Sequence, residues 1–144
     1  MKEIMKYSGC FVCGDQNRAG LKAKFYEQDG VVVTDLVADQ AFEGYRGIYH
    51  GGVLATLLDE VMIKAILARG VFAVTAEITV RFRNPVPIGG KLRLTGRVLQ
   101  SRGRLYTTEG EAIGVDGTVF ATASGTYLEA RDELKSKLVQ SLDL

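Results

Sequence analysis

Between residues 51 and 68 the chain places apolar side chains at Val53, Leu54, Leu57, Leu58, Val61, Met62, Ala65 and Ile66. That spacing makes a helix with a wide apolar stripe, largely buried rather than half exposed. Arg69-Gly70 supplies a basic last residue and a stop. Upstream, "LKAKFYEQDGVVVTDLVA" predicts two strands around a turn at Asp29-Gly30. "AFEGYRGIY" reads as a glycine-interrupted loop leading to the helix. Downstream, "VFAVTAEITVRFRNPV" alternates Ile78, Val80 and Phe82 against Glu77, Thr79, Arg81 and Arg83. "KLRLTGRVLQSRG", "RLYTTEGEAIGVDG" and "TVFATASGTYLEA" predict three more strands, turning at Arg102-Gly103 and Asp116-Gly117. The tail carries Leu134, Leu138 and Leu142 at helical spacing, which predicts a short surface or partner-contacting helix.

Two strands, one long apolar helix and four strands make an α+β chain. One helix wrapped by an antiparallel sheet of about six strands satisfies the two-layer rule. One helix cannot cover such a sheet, so edges and apolar surface remain and a homodimer is expected. Nothing in the composition divides residues 1–144, and 144 residues suffice for one domain with a core. The net charge of +1 gives no electrostatic case for nucleic acid or an anionic membrane as the main partner. No apolar run reaches the roughly 18 residues of a membrane span. Charges interrupt "MKEIMKYSGCFVCG", which therefore lacks the apolar centre of a signal peptide, and two cysteines make no disulfide framework. The expected compartment is the cytoplasm.

The chemistry centres on "HGGVLATLLDE", residues 50 to 60, where the single histidine and two glycines precede an acidic pair among leucines. An acid buried there without a partner is expensive. "FEGYRGIYHGGVLATLLDE" followed by "VTAEITVRFRNPVPIGGKL" resembles the hotdog-fold thioesterase superfamily, in particular its phenylacetate-pathway-type and thioesterase-superfamily-member branches. The opening "CFVCGDQNRAGL" resembles a lead-in common in part of that group. The resemblance spans roughly residues 10 to 128. Its most specific element is the HGG with an acid nine residues after the histidine and a threonine sixteen after the acid.

The resemblance implies a hotdog fold and a composite site at a subunit interface. Gly51 and Gly52 open the helix, where N–H groups lack intrahelical partners and the macrodipole is positive, a ready oxyanion site for a thioester carbonyl. Asp59 is the expected catalytic carboxylate, as general base on water or as nucleophile. Eight helical residues separate Gly51 from Asp59, about 12 Å, so they meet at one carbonyl only across a dimer two-fold.

Other residues carry two readings each. Glu60 lies about 100° round the helix, either solvated or paired with Lys64, and is a second candidate carboxylate. His50 is a possible base by residue type, although the resemblance implies a structural or substrate-orienting role. Thr75 either positions water or the carboxylate, or simply suits a strand. Glu43 stands where relatives often carry Gln or Asn, and a second carboxylate beside Asp59 would raise one of the two pKa values. Arg81, Arg83 and Asn84, with Lys91 nearby, either meet the phosphates of coenzyme A or form a solvated face. Leu54, Leu58 and Phe82 are expected to line the acyl pocket. Cys10 and Cys13 have metal-ligand spacing without the four ligands zinc needs in one chain, which favours a small apolar element near the pocket mouth.

The expected function is hydrolysis of an acyl-CoA to free acid and coenzyme A, without a metal or a cofactor beyond the coenzyme A of the substrate. The expected partners are the acyl-CoA and further copies of this chain, as a homodimer that pairs into a tetramer. Two alternatives are a non-catalytic acyl-CoA-binding module, which needs the pocket but not Asp59, and a hotdog dehydratase or hydratase. The dehydratase needs an acid and a histidine acting together, and His50 and Asp59 face apart on one helix.

Overall fold

A computed structural model describes residues 1–142. Two strands, β1 (Lys2–Glu3) and β2 (Tyr26–Gln28), lead into β3 (Val31–Val37). A short 3-10 turn (Gln40–Phe42) and a loop then reach the long helix α1 (Gly51–Leu67). Four long strands follow: β4 (Ala73–Phe82), β5 (Lys91–Arg102), β6 (Leu105–Gly114) and β7 (Val119–Glu129). The chain closes on α2 (Asp132–Gln140). All strands join one antiparallel sheet in the order β1-β2-β3-β5-β6-β7-β4. The sheet curls round α1, which packs against β3 to β7. This is the α+β hotdog architecture expected from the sequence.

Seven strands form rather than about six. The extra one, β1, pairs only Lys2 with Glu27 and Glu3 with Tyr26, too short for any periodicity to reveal. The first predicted strand also begins late. Residues 21–25 point Ala23 and Phe25 inward, but their amides bond the amino-terminal loop instead of a strand (Leu21 N–H to Phe11 O, 2.8 Å; Ala23 N–H to Val12 O, 2.8 Å). The turn at Asp29-Gly30 is the expected one, with both residues left-handed (φ 55° and 83°) as a two-residue hairpin requires. Phe82 departs from the predicted inward face of β4: it is 54% exposed, at the strand's end beside Gly51. In α2 no residue is buried, in keeping with a surface helix.

The helix seats on the sheet in backbone contact at Gly96. Gly96 of β5 and Gly110 of β6 are register partners, and Gly125 follows on β7. A Cβ on Gly96 would stand 2.5 Å from the Val61 carbonyl oxygen and 2.8 Å from its carbon, which are backbone atoms that cannot swing aside. Cβ atoms on Gly110 and Gly125 would crowd Met62 at 3.1 and 3.2 Å. These positions therefore bring α1 down until its backbone touches the strands, and Leu57, Leu58, Val61, Met62 and Ile66 are fully buried beneath it. Gly96→Ala should destabilise the protein by about 3 kcal/mol, read as a lower urea midpoint; a loss under about 0.5 kcal/mol would mean that the helix can lift from the sheet.

Candidate functional site

At the head of α1, His50 is the N-cap, with extended backbone (φ −63°, ψ 127°). Its Nδ1 accepts the Gly52 N–H at 2.8 Å. The imidazole is thus a helix cap, with any ring proton of its neutral form on Nε2. A Cβ on Gly52 would lie 2.9 Å from the imidazole Cε1, so glycine is required for the cap to close. This separates the two glycines. Gly52 N–H is occupied, whereas Gly51 N–H has no partner among the described residues. The oxyanion expectation accordingly narrows to Gly51.

A cavity of about 980 Å³ opens at this helix end. Glu43, His50, Gly51, Gly52, Arg83 and Asn84 line it, so six of the predicted site residues converge, with Leu54 and Phe82 as apolar walls. Glu43 turns its carboxylate to the Gly47 N–H at 2.6 Å, holding the loop that leads to the helix, and is not beside Asp59 within the chain. Asn84 Nδ2 donates to the Val119 carbonyl at 2.8 Å and fixes the turn after β4. Two expectations need correction. Leu58 is fully buried on the sheet side of α1 and does not reach the cavity. Arg81 and Lys91 are exposed and stay outside it; Lys91 lies in the β3–β5 pairing, opposite Val37.

The second half of the site is two turns down α1. Asp59 Oδ1 accepts the Thr75 hydroxyl at 2.9 Å and the Tyr127 hydroxyl at 2.9 Å. Tyr127 OH also lies 3.2 Å from the Asp59 carbonyl oxygen. Thr75 and Tyr127 are register partners on β4 and β7, so the strand pairing itself aims both hydroxyls at one carboxylate oxygen. Asp59 Oδ2 has no protein partner among the described residues. The carboxylate is thereby held by one oxygen and open at the other. Burial first, then the Asp59 charge, push the Tyr127 phenol far above its ordinary range, so it remains a donor at any working pH.

Tyr127 was not among the residues anticipated from sequence. Its signal was the inward face of β7, which runs Ala121, Ala123, Gly125, Tyr127: one large polar-tipped residue in a row of small ones. A fully buried tyrosine needs a hydroxyl partner, and the nearest helix offered an acid.

Glu60 takes the second of its two readings and pairs with Lys64 one turn on. It faces a separate cluster. Its carboxylate lies 3.8 Å from Lys64 Nζ and 3.8 Å from Cys10 Sγ. Lys64 is itself buried, donating to the Met5 carbonyl at 2.6 Å and lying 3.5 Å from Cys13 Sγ, with the Tyr7 and Phe25 rings below. Burial, with the Cys10 charge second, pushes the Glu60 carboxyl up to about 7 against the pull of Lys64. Cys10, Cys13 and Glu60 bring three ligand atoms within 4.8 Å of one another, but the Lys64 ammonium stands among them as the resident cation, a poor setting for a metal ion. The cysteines are thus not merely an apolar element at the pocket mouth. They belong to a polar cluster at the far side of α1.

The sheet wraps a helix that carries the capped HGG and the acid, and the threonine reaches that acid from β4. The sequence profile of the thioesterase superfamily matches residues 46–121, and the chain belongs to that family. It is 31% identical over 96 residues to acyl-coenzyme A thioesterase THEM5 of Mus musculus, a match spanning 66% of this chain and 39% of that protein. A solved thioesterase superfamily protein aligns with TM-score 0.79 and 30% identity, over 84% of this chain and 60% of that one. A hypothetical thioesterase of Streptococcus pneumoniae, solved with coenzyme A, shares the fold with TM-score 0.71 and 19% identity, over 75% of this chain and 88% of that one. No helix among the described residues is long and apolar enough to cross a membrane.

The raised Glu60 carboxyl has a stability consequence. The folded chain holds this proton more tightly than the unfolded chain, whose ordinary value is 4.5. Glu60's contribution is therefore fully present below pH 4.5 and is lost as pH rises through about 7, a fall on the order of 3 kcal/mol. Urea unfolding between pH 5 and 8 should show Glu60→Gln flattening this fall; an unchanged pH slope in the variant would remove Glu60 as its source.

Proposed function

We propose that the protein is an acyl-CoA thioesterase, hydrolysing a thioester to the free acid and coenzyme A at a site shared between two copies of the chain. The observation that carries this reading is the Asp59 carboxylate, one oxygen tied by Thr75 and Tyr127 and the other open. In one copy, the Gly51 N–H at the positive end of α1 receives the thioester oxygen as it gains charge. In the other, Asp59 Oδ2 either takes the proton of the attacking water or forms the bond to the acyl carbon; both routes need that open oxygen, and in both coenzyme A leaves as the thiol. Arg83 at the cavity rim offers a cation to the phosphates of the coenzyme, and Leu54 and Phe82 offer apolar wall to the acyl group. Support for acyl-CoA as substrate class comes from the relatives, one named for that activity and one solved with coenzyme A.

The shared site follows from helix geometry. Gly51 and Asp59 are about 12 Å apart along α1 and cannot both touch one carbonyl from the same helix. The surface that would join two copies is β4. Its inner side pairs with β7, its outer side has no strand among the described residues, and Phe82 stands exposed at its end. A ten-residue open edge is the kind of surface folded proteins cover.

Asp59→Asn should lower kcat by about 10³-fold, and Tyr127→Phe by roughly 10–100-fold with KM little changed, measured as thiol release from a panel of short, medium, long and aryl acyl-CoAs. Turnover undiminished in Asp59→Asn would eliminate the assignment; binding without turnover on every substrate would leave a carrier of acyl-CoA instead. Gly51→Pro gives the complementary test. Proline is favoured at the first helical position, and the extended backbone of His50 suits a following proline, so the variant should fold while lacking the Gly51 amide. Mixing inactive Gly51→Pro and Asp59→Asn subunits by co-refolding should restore activity, because one of the two sites in each mixed dimer is intact. No recovery on mixing would place both residues' roles within a single chain.

A further inference from the structure

The cluster on the far side of α1 has chemistry that hydrolysis does not use. The Cys10-Phe11-Val12-Cys13 segment folds as a tight turn, with Gly14 N–H bonded to the Cys10 carbonyl at 2.9 Å. This turns two backbone amides onto the first sulfur: Val12 N–H lies 3.3 Å and Cys13 N–H 3.5 Å from Cys10 Sγ. Donors of that kind stabilise a thiolate. Cys10 is half-buried and lines a cavity of about 270 Å³ with Glu60, Lys64, Ile63 and Phe72, whereas Cys13 is buried behind it. Lys64 Nζ, 3.5 Å from Cys13 Sγ, and Glu60 complete the set, with the Tyr7 ring 5.6 Å from the ammonium. One sulfur is reachable, the other stands directly behind it, and an acid and a base share the pocket.

We propose that Cys10 and Cys13 are a redox-active dithiol that exchanges with low-molecular-weight disulfides, Cys10 as the attacking and Cys13 as the resolving thiol. The Cys10 sulfur attacks one sulfur of the small disulfide; that S–S bond breaks, a mixed disulfide forms on Cys10, and the first small thiolate leaves and takes a proton. Cys13 then gives its proton to the Glu60 carboxylate and attacks the Cys10 sulfur. The mixed bond breaks, the second small thiolate leaves, and the Cys10–Cys13 disulfide remains. Two electrons have passed from the dithiol to the small disulfide, which ends as two thiols.

The electrostatics run in the same direction. The hydrogen bond with Cys13, the backbone amides and Lys64 hold the Cys10 thiol well below its ordinary value, whereas the same partnership and burial hold Cys13 well above. Asymmetry of this kind separates attacking from resolving thiols. Closing the bridge also removes a negative charge from beside Glu60, which that charge helps to keep protonated. The groups facing the pair are thus Tyr7, Glu60 and Lys64, with Asp59 the neighbouring charge on the helix.

The test uses the reduced, full-length protein, oxidised glutathione as the probe and intact-mass measurement as the readout, with a chelator present. The wild type should lose two hydrogens and retain no glutathione. Cys13→Ser should retain one glutathione, mapped to Cys10, and Cys10→Ser should retain none. With iodoacetamide at pH 6, Cys10 should alkylate about tenfold faster than an ordinary exposed thiol, its higher thiolate fraction partly offset by lower nucleophilicity. A wild type that stops at the mixed disulfide, or whose folded form reacts at neither sulfur, would overturn the proposal. So would a second, chelator-free arm in which one equivalent of zinc protects both cysteines until chelator is added. None of these readouts depends on thioesterase activity.

Discussion

How close α1 can come to the sheet decides the geometry of everything round Asp59. Helix backbone meets strand backbone only because Gly96 carries no side chain at the contact, with Gly110 and Gly125 making room for Met62 alongside. At that separation the Tyr127 hydroxyl reaches past the helix surface to both the carbonyl and the carboxylate of Asp59. One extra methyl group at Gly96 would push the helix outward by an amount comparable to a hydrogen bond's tolerance. The position of the carboxylate is therefore a result of backbone contact, and Thr75 and Tyr127 register it further through the β4–β7 pairing.

The head of the helix obeys a different rule. Helix starts leave amides without partners, and a cap normally quiets one of them. His50 caps Gly52 and leaves Gly51 open, so the loop-to-helix joint both stabilises the helix and keeps one polar group available. The loop in front is held by its own polar atoms: Glu43 on the Gly47 amide, Gly44 N–H on the Ile48 carbonyl, Tyr49 N–H on the Val86 carbonyl. Histidine and Glu43 thus act on backbone here.

Much of this was legible in the sequence where a periodic pattern or a short-range turn carried the information. The helix bounds, the Asp29-Gly30 hairpin and the four long strands follow from alternation and turn residues, and the family resemblance pointed at Asp59 and Thr75, a pair that the structure brings to 2.9 Å. What was not legible depends on which neighbour a side chain meets. Tyr127 lies 68 residues from Asp59 and reads as an ordinary strand residue until the sheet curls over the helix. Lys64 reads only as a possible partner of Glu60, yet it is buried with its side-chain nitrogen on a carbonyl and among thiols, because the amino-terminal loop folds over that face. Leu58 misled in the opposite sense: its place on the apolar stripe was right, but the stripe faces the sheet and not the pocket.

The cavity wall and the acid are anchored in different parts of the fold, and that bears on how such a protein can diversify. Asp59, Thr75 and Tyr127 hang on the helix seat and on strand register, where single changes propagate. The 43–49 loop and the 82–86 segment instead brace each other, through Tyr49 N–H on Val86 and the bridge of Ile48 with Pro87. Residues there, such as the exposed Tyr45 and Phe82, can be exchanged without touching the glycine contact. Variation of the cavity wall is thus most readily built in this outer ladder, with the Asp59, Thr75 and Tyr127 hydrogen bonds left unaltered underneath.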